Sequence, residues 1–337
     1  MTWMVYGANG YSGELLARLA ARVGERPVLA GRSRSSVAPL AADLDLPYRI
    51  GDAASVSLDG VDTVANCAGP FAETAAPLVT ACVAAGVHYL DITGELAVLD
   101  WMLQQDAAAR AAGVVLLTGA GFDVVPTDCL AAALVARVPD AVALELAFHA
   151  PGGLSRGTAR TALGEAAAGG LRRVGGRLVP TPHGTPTREV PFPSGTRRVG
   201  ATRWGDLVTA FHSTGIPDIT VYTSLPRGAG SPLVGALRFG PLRRLLQGLV
   251  RRGGPSERTR TDTGCEVWAE VRDSTGVAHS ATLTGPNAYA LTAEATLRAV
   301  RRIRAGRVPP GAHTPAQALG GPDFLDELPG VRLDLPG

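Results

Sequence analysis

Along the first 121 residues, short runs of apolar positions alternate with longer stretches in which apolar residues recur every three or four places. The runs have the length of strands, and the recurring stretches have the period of a helix with one buried face. "WMVYGA" (3–8) predicts a first strand, and "YSGELLARLAARV" (11–23) a helix whose stripe is Leu15, Leu16, Leu19 and Val23. "RPVLAG" (26–31), "YRIGD" (48–52), "VDTVANCAG" (61–69), "HYLDITG" (88–94) and "VVLLTGAG" (114–121) predict five more strands. Between them "RSRSSVAPLAADL" (32–44), "TAAPLVTACVAAG" (74–86) and "AVLDWMLQQDAAARAAG" (97–113) read as helices, the last two closed by a glycine. Strands alternating with helices build βαβ units around a parallel sheet, and six in this length suit a doubly wound fold.

A further helix is expected near Asp128–Val138, and then the pattern changes. "AVALELAFHA" (141–150), "DITVYTSL" (218–225) and "CEVWAEVRD" (265–273) read as strands separated by glycine- and proline-rich turns, which predicts a second, mixed or antiparallel sheet. "TAEATLRAVRRIRAG" (292–306) is an amphipathic helix, and the last 30 residues are rich in turns.

The glycines Gly7, Gly10 and Gly13 stand where the first strand passes into its helix. A dinucleotide pyrophosphate needs a tight turn free of side chains and then free backbone N–H groups at a positive helix end, and this spacing supplies both. Gly7, Asn9, Gly10, Tyr11, Ser12 and Gly13 are therefore candidate coenzyme residues. After the second strand come Arg32, Ser33 and Arg34 with no carboxylate beside them. Guanidinium groups there favour the 2′-phosphate of NADPH over a ribose hydroxyl, the alternative being a solvated basic turn. Asp52 could face the adenine or merely order a turn, and Cys67, Ala68, Gly69, Pro70 and Phe71 end the fourth strand where the coenzyme would lie.

Hydride transfer also calls for a proton source. Glu95, Asp123, Tyr89 and Asp91 follow the fifth and sixth strands and are the candidates. Structural alternatives stay open beside them: Asp91 as a buried loop anchor, Tyr89 as a packed ring, His88 as a strand-edge histidine and Asp128 as a helix cap.

Composition narrows the classes. A length of 337 residues predicts two domains, and 46% hydrophobic residues with a net charge of +2 argue against a nucleic-acid binder. All 32 basic residues are arginine, which removes Schiff-base, pyridoxal-phosphate and P-loop lysine chemistry. Four cysteines without a C-x-x-C pair suit free thiols in a reducing cytoplasm, and six scattered histidines predict no metal site. An apolar run that starts almost at Met1 without a charged leader, and no uncharged apolar run of 18 residues, set the expectation of neither secretion nor membrane spanning. Arg156 or Arg160 could meet an anionic substrate or stand in solvent. The arginine-rich segment 234–254 could be a lid, a peripheral lipid contact or a domain-packing helix.

These residues resemble a known group, the saccharopine dehydrogenase-like NADP-binding oxidoreductases, and within it the trans-acting enoyl reductase branch. "YGANGYSGELLA", "LAGRS", "NCAGPF", "ACVAAGVHYLDITGE" and "GAGFDVVPTDCLA" resemble the family. "SRGTARTAL", "GIPDITVY", "GPSERTR", "LTGPNAYALTAEATL" and "HTPAQALGGPDFL" resemble the branch, and Asn9 stands where threonine is common. The resemblance implies an α/β protein in three segments. Residues 1–127 would form an N-terminal Rossmann domain, a doubly wound parallel sheet; residues 128–285 a second, α+β substrate and dimerisation domain; and residues 286–337 would return to the first. It also implies a cytoplasmic homodimer using NADPH to reduce a C=C bond (enoyl, including a carrier-tethered one) or a C=N bond in lipid, polyketide or other secondary metabolism. The rivals are a saccharopine-type amino-acid dehydrogenase or imine reductase, and a non-catalytic NADP-binding scaffold.

Overall fold

The computed structural model describes residues 1–159, 168–224 and 253–336. The chain opens with β1 (Thr2–Tyr6), α1 (Tyr11–Arg22), β2 (Val28–Gly31), α2 (Arg34–Asp43), β3 (Tyr48–Ile50) and β4 (Val61–Asn66). It continues through α3 (Phe71–Ala85), β5 (His88–Asp91), α4 (Leu96–Leu103), α5 (Asp106–Ala112) and β6 (Val115–Leu117). Trp3, Met4, Val5 and Tyr6 are all buried, as a central strand covered on both faces requires. α1 buries Gly13, Leu16, Ala17, Leu19 and Ala20. The expected stripe is corrected at its end: the helix stops at Arg22, and Val23, one residue beyond, is 46% exposed.

The chain then passes into α6 (Val125–Val135), β7 (Ala141–His149), β8 (Gly170–Val174), β9 (Arg177–Thr181), β10 (Thr187–Phe192) and β11 (Gly195–Ala201). There follow α7 (Asp206–Thr214), β12 (Asp218–Ser224), α8 (Glu257–Asp262), β13 (Gly264–Asp273) and β14 (Ala278–Pro286). Last come α9 (Ala288–Arg304), β15 (Gly311–His313), α10 (Pro315–Leu319), α11 (Pro322–Asp326) and β16 (Arg332–Asp334). The turn-rich tail thus contains short regular elements.

Two compact units result, Met1–Val125 with Tyr289–Gly320, and Pro126–Ala288 with the residues from Gly321 onward. The resemblance set the boundaries at 127 and 285; the tail from Gly321 groups with the second unit.

The first unit holds a seven-stranded sheet in the order β15-β6-β5-β4-β1-β2-β3, with every pairing parallel. Strand order reverses at β1, so β2 and β4 flank it and their connections leave in opposite directions; a crevice opens beyond the carboxyl ends at such a point. Tyr6, Val64, Leu78, Tyr89 and Met102 belong to the core on one side of this sheet. α9 is fastened along its last turn: Arg301 Nε donates to Glu25 at 2.6 Å, and Arg304 donates to both Asp62 oxygens at 2.9 and 3.1 Å.

The second unit's sheet runs β10-β11-β12-β7-β13-β14-β16, with the β8–β9 hairpin attached through β12. Among the described residues only β12 and β7 pair in parallel, so the sheet is mixed. Val190, Phe192, Val199, Tyr222 and Trp268 form its own apolar cluster, and Arg188 lies 4.6 Å from the Trp268 ring centre while pairing with Glu270 at 2.8 Å.

Candidate functional site

The strand-to-helix turn after β1 is drawn tightly against its neighbours. The N–H groups of Gly7 and Ala8 both donate to Ala30 O of β2, at 2.8 and 3.1 Å, and Gly10 N–H closes the turn on Gly7 O at 2.9 Å. Gly7 has φ +79°, and a Cβ there would lie 2.7 Å from the backbone N of Ala68, so the loops after β1 and β4 touch only because Gly7 has no side chain. α1 starts at Gly10 with no side-chain cap, which leaves the positive helix end open to an anion, while Asn9 is exposed and Tyr11 and Ser12 are half-buried. The Tyr11 ring meets Tyr289 edge to face, with centres 4.9 Å apart. Gly7→Ala is expected to cost about 1–3 kcal/mol through forced backbone strain and to weaken NADPH binding at least tenfold; denaturant melts and calorimetry check both.

Beyond β2, Arg32 and Arg34 are exposed and form no ion pair among the described residues. Ser33 precedes α2, and its hydroxyl lies 3.0 Å from that of Ser35 and 3.1 Å from that of Ser36. Two arginines and three serines thus occur within five residues of an uncapped helix start, with the Arg34 guanidinium 5.9 Å from the Tyr48 ring centre, and these residue types suit a phosphate. Asp52 is occupied locally: its Oδ1 accepts from Ser55 Oγ at 2.8 Å and from Ala54 N–H at 3.0 Å. Those bonds, Ser55's first, hold its carboxyl below the usual range, with Arg32 adding to the effect.

At the ends of β4, β5 and β6 a buried polar network ties three loops together. Asn66 Nδ2 donates to Tyr89 Oη at 3.0 Å and to Thr74 Oγ1 at 3.2 Å, while its Oδ1 accepts from Ala68 N–H at 3.0 Å. Tyr89 Oη donates to Asp91 Oδ2 at 3.0 Å. Asp91 Oδ1 accepts from Thr118 Oγ1 and from the N–H groups of Gly119 and Thr93, at 3.1, 3.0 and 3.2 Å. Burial outweighs these bonds and raises the Asp91 carboxyl to about 6; burial also raises the Tyr89 hydroxyl, and neither side chain is exposed. Cys67 and Ala68 are half-buried, Gly69 and Pro70 exposed, and burial pushes the Cys67 thiol up to about 12.

Glu95 reaches across to the start of α3, where its two oxygens accept the N–H groups of Phe71 and Ala72, each at 2.9 Å. A carboxylate there suits the positive end of a helix that lacks any cap from its own N-cap residue, Pro70. Glu95→Gln keeps one acceptor of the two and is expected to destabilise the chain by about 1 kcal/mol, read as a lowered melting temperature.

Asp123, in the loop after β6, differs from the other acids. A Cβ on Gly94 would lie 3.1 Å from its Cβ and Oδ2, so the β5 and β6 loops meet at this carboxyl. No described residue hydrogen-bonds it, and desolvation raises it to about 6. The structure thus brings Asp123 beside the Gly94–Glu95 turn. His88 Nδ1 accepts from Val115 N–H at 3.0 Å, a strand-edge contact, and burial lowers its pKa.

Asp128, for which a helix cap stayed open as an alternative, stands in the first turn of α6. α6 starts three residues earlier, at Val125, and the buried Asp128 carboxylate accepts from Ser213 Oγ at 2.6 Å. Arg156 is half-buried in the second unit, and its N–H donates to Gly253 O at 3.0 Å. Arg160 and residues 234–252 lie outside the described residues. Among the described residues no three His, Cys, Asp or Glu side chains cluster to hold a metal, and no helix is long and apolar enough to cross a membrane. Thr74, Thr93 and Thr118 went unread in the sequence, because their part depends on which strand ends become neighbours.

Residues 3–117 match the family model of the saccharopine dehydrogenase NADP binding domain. A trans-acting enoyl reductase of Mycobacterium tuberculosis is 36% identical over 143 residues, a match covering 37% of this chain and 33% of that protein. A trans-acting enoyl reductase of Mycobacterium ulcerans matches with the same values. The chain thus spans about a third of the length of the curated relatives it matches. Among solved structures, saccharopine dehydrogenase (L-Glu forming) from Saccharomyces cerevisiae is similar with a TM-score of 0.64 and 11% identity, covering 100% of both chains. Homospermidine synthase from Legionella pneumophila in complex with NAD is similar with a TM-score of 0.66 and 10% identity, covering 99% of this chain and 91% of that one. These two likenesses are of fold.

Proposed function

We propose, for a chain whose first unit carries a saccharopine dehydrogenase-type NADP-binding domain, that it is an NADPH-dependent reductase of a C=C or C=N bond with Asp123 as the proton donor. The observation that carries this reading is the Asp123 carboxyl: raised to about 6 by desolvation, without a hydrogen-bond partner among the described residues, and set beside the β5 loop at the carboxyl edge of the first sheet. An acid whose pKa is drawn toward working pH and that no described residue already engages is what general acid catalysis needs.

The residues present fit the coenzyme. The Gly7–Gly13 turn packs directly on the loop after β4, and the uncapped helix start behind it would take the pyrophosphate. Arg32 and Arg34, with Ser33, would hold the 2′-phosphate, and Asp52 would face the adenine end. Residues 67–71 would border the nicotinamide half. When bound, NADPH supplies the hydride; the chain supplies the phosphate contacts, the orientation and the proton. Tyr89 and Asp91, with no exposed surface, would serve by fixing the loops that carry Asp123 and Asn66, and Glu95 by holding the start of α3.

Enoyl reduction is the preferred chemistry, including of a carrier-tethered thioester, supported by the partial match to trans-acting enoyl reductases. The test is consumption of NADPH with a crotonyl thioester of pantetheine against a cyclic imine. Turnover of the first is expected. Turnover of the imine alone would move the chain to imine chemistry, and turnover of neither, with NADPH bound, would favour a scaffold.

A further inference from the structure

We propose that Thr292 and Thr296 of α9 are positioning residues that set where the Asp123 carboxyl stands, acting through the backbone of the loop that bears it. The inference rests on reading Asp123 as the proton donor.

With no hydrogen bond to the carboxyl among the described residues, its place is fixed by the main chain, and that main chain is held from two sides. From β5, Asp91 Oδ1 takes the N–H of Gly119 at 3.0 Å and Asp91 O takes that of Ala120 at 2.6 Å. From α9, Thr292 Oγ1 accepts the N–H of Phe122, the residue before Asp123, at 3.0 Å. Thr296 Oγ1 donates to Ala120 O at 3.0 Å and also lies 2.7 Å from Thr292 O. The two threonines are four residues apart, hence on one face of the helix.

Both are enclosed, at 9% and 1% exposure, and the loop backbone lies directly on them: a Cβ on Gly121 would stand 3.1 Å from the Thr292 methyl and 3.2 Å from Ile92 Cβ. Buried helix positions facing a core ordinarily take apolar residues, and a threonine inside a helix ordinarily turns its hydroxyl to its own helix's carbonyl. The one Thr296 hydroxyl proton is shared between its own helix's Thr292 O and Ala120 O of the loop, and the Thr292 hydroxyl accepts a loop N–H. The far end of α9 is tied to the same unit by Arg301 to Glu25 and Arg304 to Asp62. α9 comes from residues 288–304, far along the chain from the loop it holds.

The experiment is an NMR titration of the full chain without coenzyme, with carboxyl-labelled aspartate, in which Asp123 is followed directly. The neighbouring carboxylates, Asp91 and Glu95, carry the bonds described above; Asp91 is assigned by its own signal, and Glu95 is unlabelled. Thr292→Val keeps the shape and removes the acceptor; loosening the loop should let water reach Asp123 and lower its pKa by about half a unit or more. Thr292→Ser keeps the hydroxyl and should restore the parent titration. An unchanged Asp123 in Thr292→Val, or an equal displacement in Thr292→Ser, overturns the proposal. If Thr292→Val does not fold, the pair Thr296→Ala and Thr296→Ser decides in the same way: displacement in the first with the parent value in the second upholds it, and any other pattern overturns it. The titration needs no turnover, so a failed donor role for Asp123 would show in the activity of Asp123→Asn while leaving this result standing.

Discussion

Replacing Arg32 and Arg34 together by alanine is expected to weaken NADPH binding ~100-fold while changing NADH binding by less than about threefold, as each charge-assisted hydrogen bond lost is worth about 1.5–3 kcal/mol and each 1.4 kcal/mol about a factor of ten. The lower end of that range applies because both side chains are exposed and water screens them. Only the 2′-phosphate distinguishes the two coenzymes, and Arg32 and Arg34 flank Ser33, the uncapped N-cap residue of α2. Parallel calorimetric titrations with the two coenzymes check it. Equal losses for both would mean that the arginines act on the shared part of the dinucleotide, and no loss for either would remove the phosphate site from β2.

The second large effect is expected at Asp123. If this carboxyl gives up the proton, Asp123→Asn should lower kcat by about 10²–10⁴, the range general acid catalysis contributes, and leave NADPH affinity nearly unchanged. The pH dependence follows from the raised value of about 6. The donor must be protonated, so the parent's rate should fall as pH rises through about 6, and that limb should vanish in the variant.

The group's contribution to stability titrates over the same range and in the same direction. A folded pKa above the ordinary 3.8 means that the folded state holds the proton more tightly, so this group's contribution is complete below the unfolded value and is lost as pH rises through about 6. Asp123→Asn, which cannot ionise, should therefore melt no lower than the parent at neutral pH. A variant that lost activity by unfolding would melt earlier, and the two explanations separate.

Much of the first sheet was legible because its signals are local. Tyr6 and the buried run before it, Gly86 closing α3 and the Leu16–Leu19 face of α1 each follow from spacing within a few residues. The proposal for Arg32 and Arg34 rests on the same kind of signal, since a phosphate site at the end of β2 would be defined by immediate neighbours in sequence. The division of labour among the acids was not. Nothing near Glu95 in sequence announces that its oxygens reach the N–H groups of Phe71 and Ala72, and nothing near Asp91 announces Thr118 and Gly119 as its donors. Those pairings exist only once β4, β5 and β6 lie side by side. Thr292 and Thr296 are the extreme case, invisible among the alanines and arginines of an amphipathic pattern although they touch a loop more than 150 residues away.

The first unit is made from two stretches of chain, with Pro126–Ala288 spliced between them. A ribosome must therefore polymerise most of the molecule before β15 can add the seventh strand, and a fragment ending at Val125 would lack both that edge and α9. The same layout makes the inserted stretch a replaceable cassette. Exchanging it would require carrying the trailing β16 along as well, since that strand pairs with β14 and would otherwise be left behind without its neighbour.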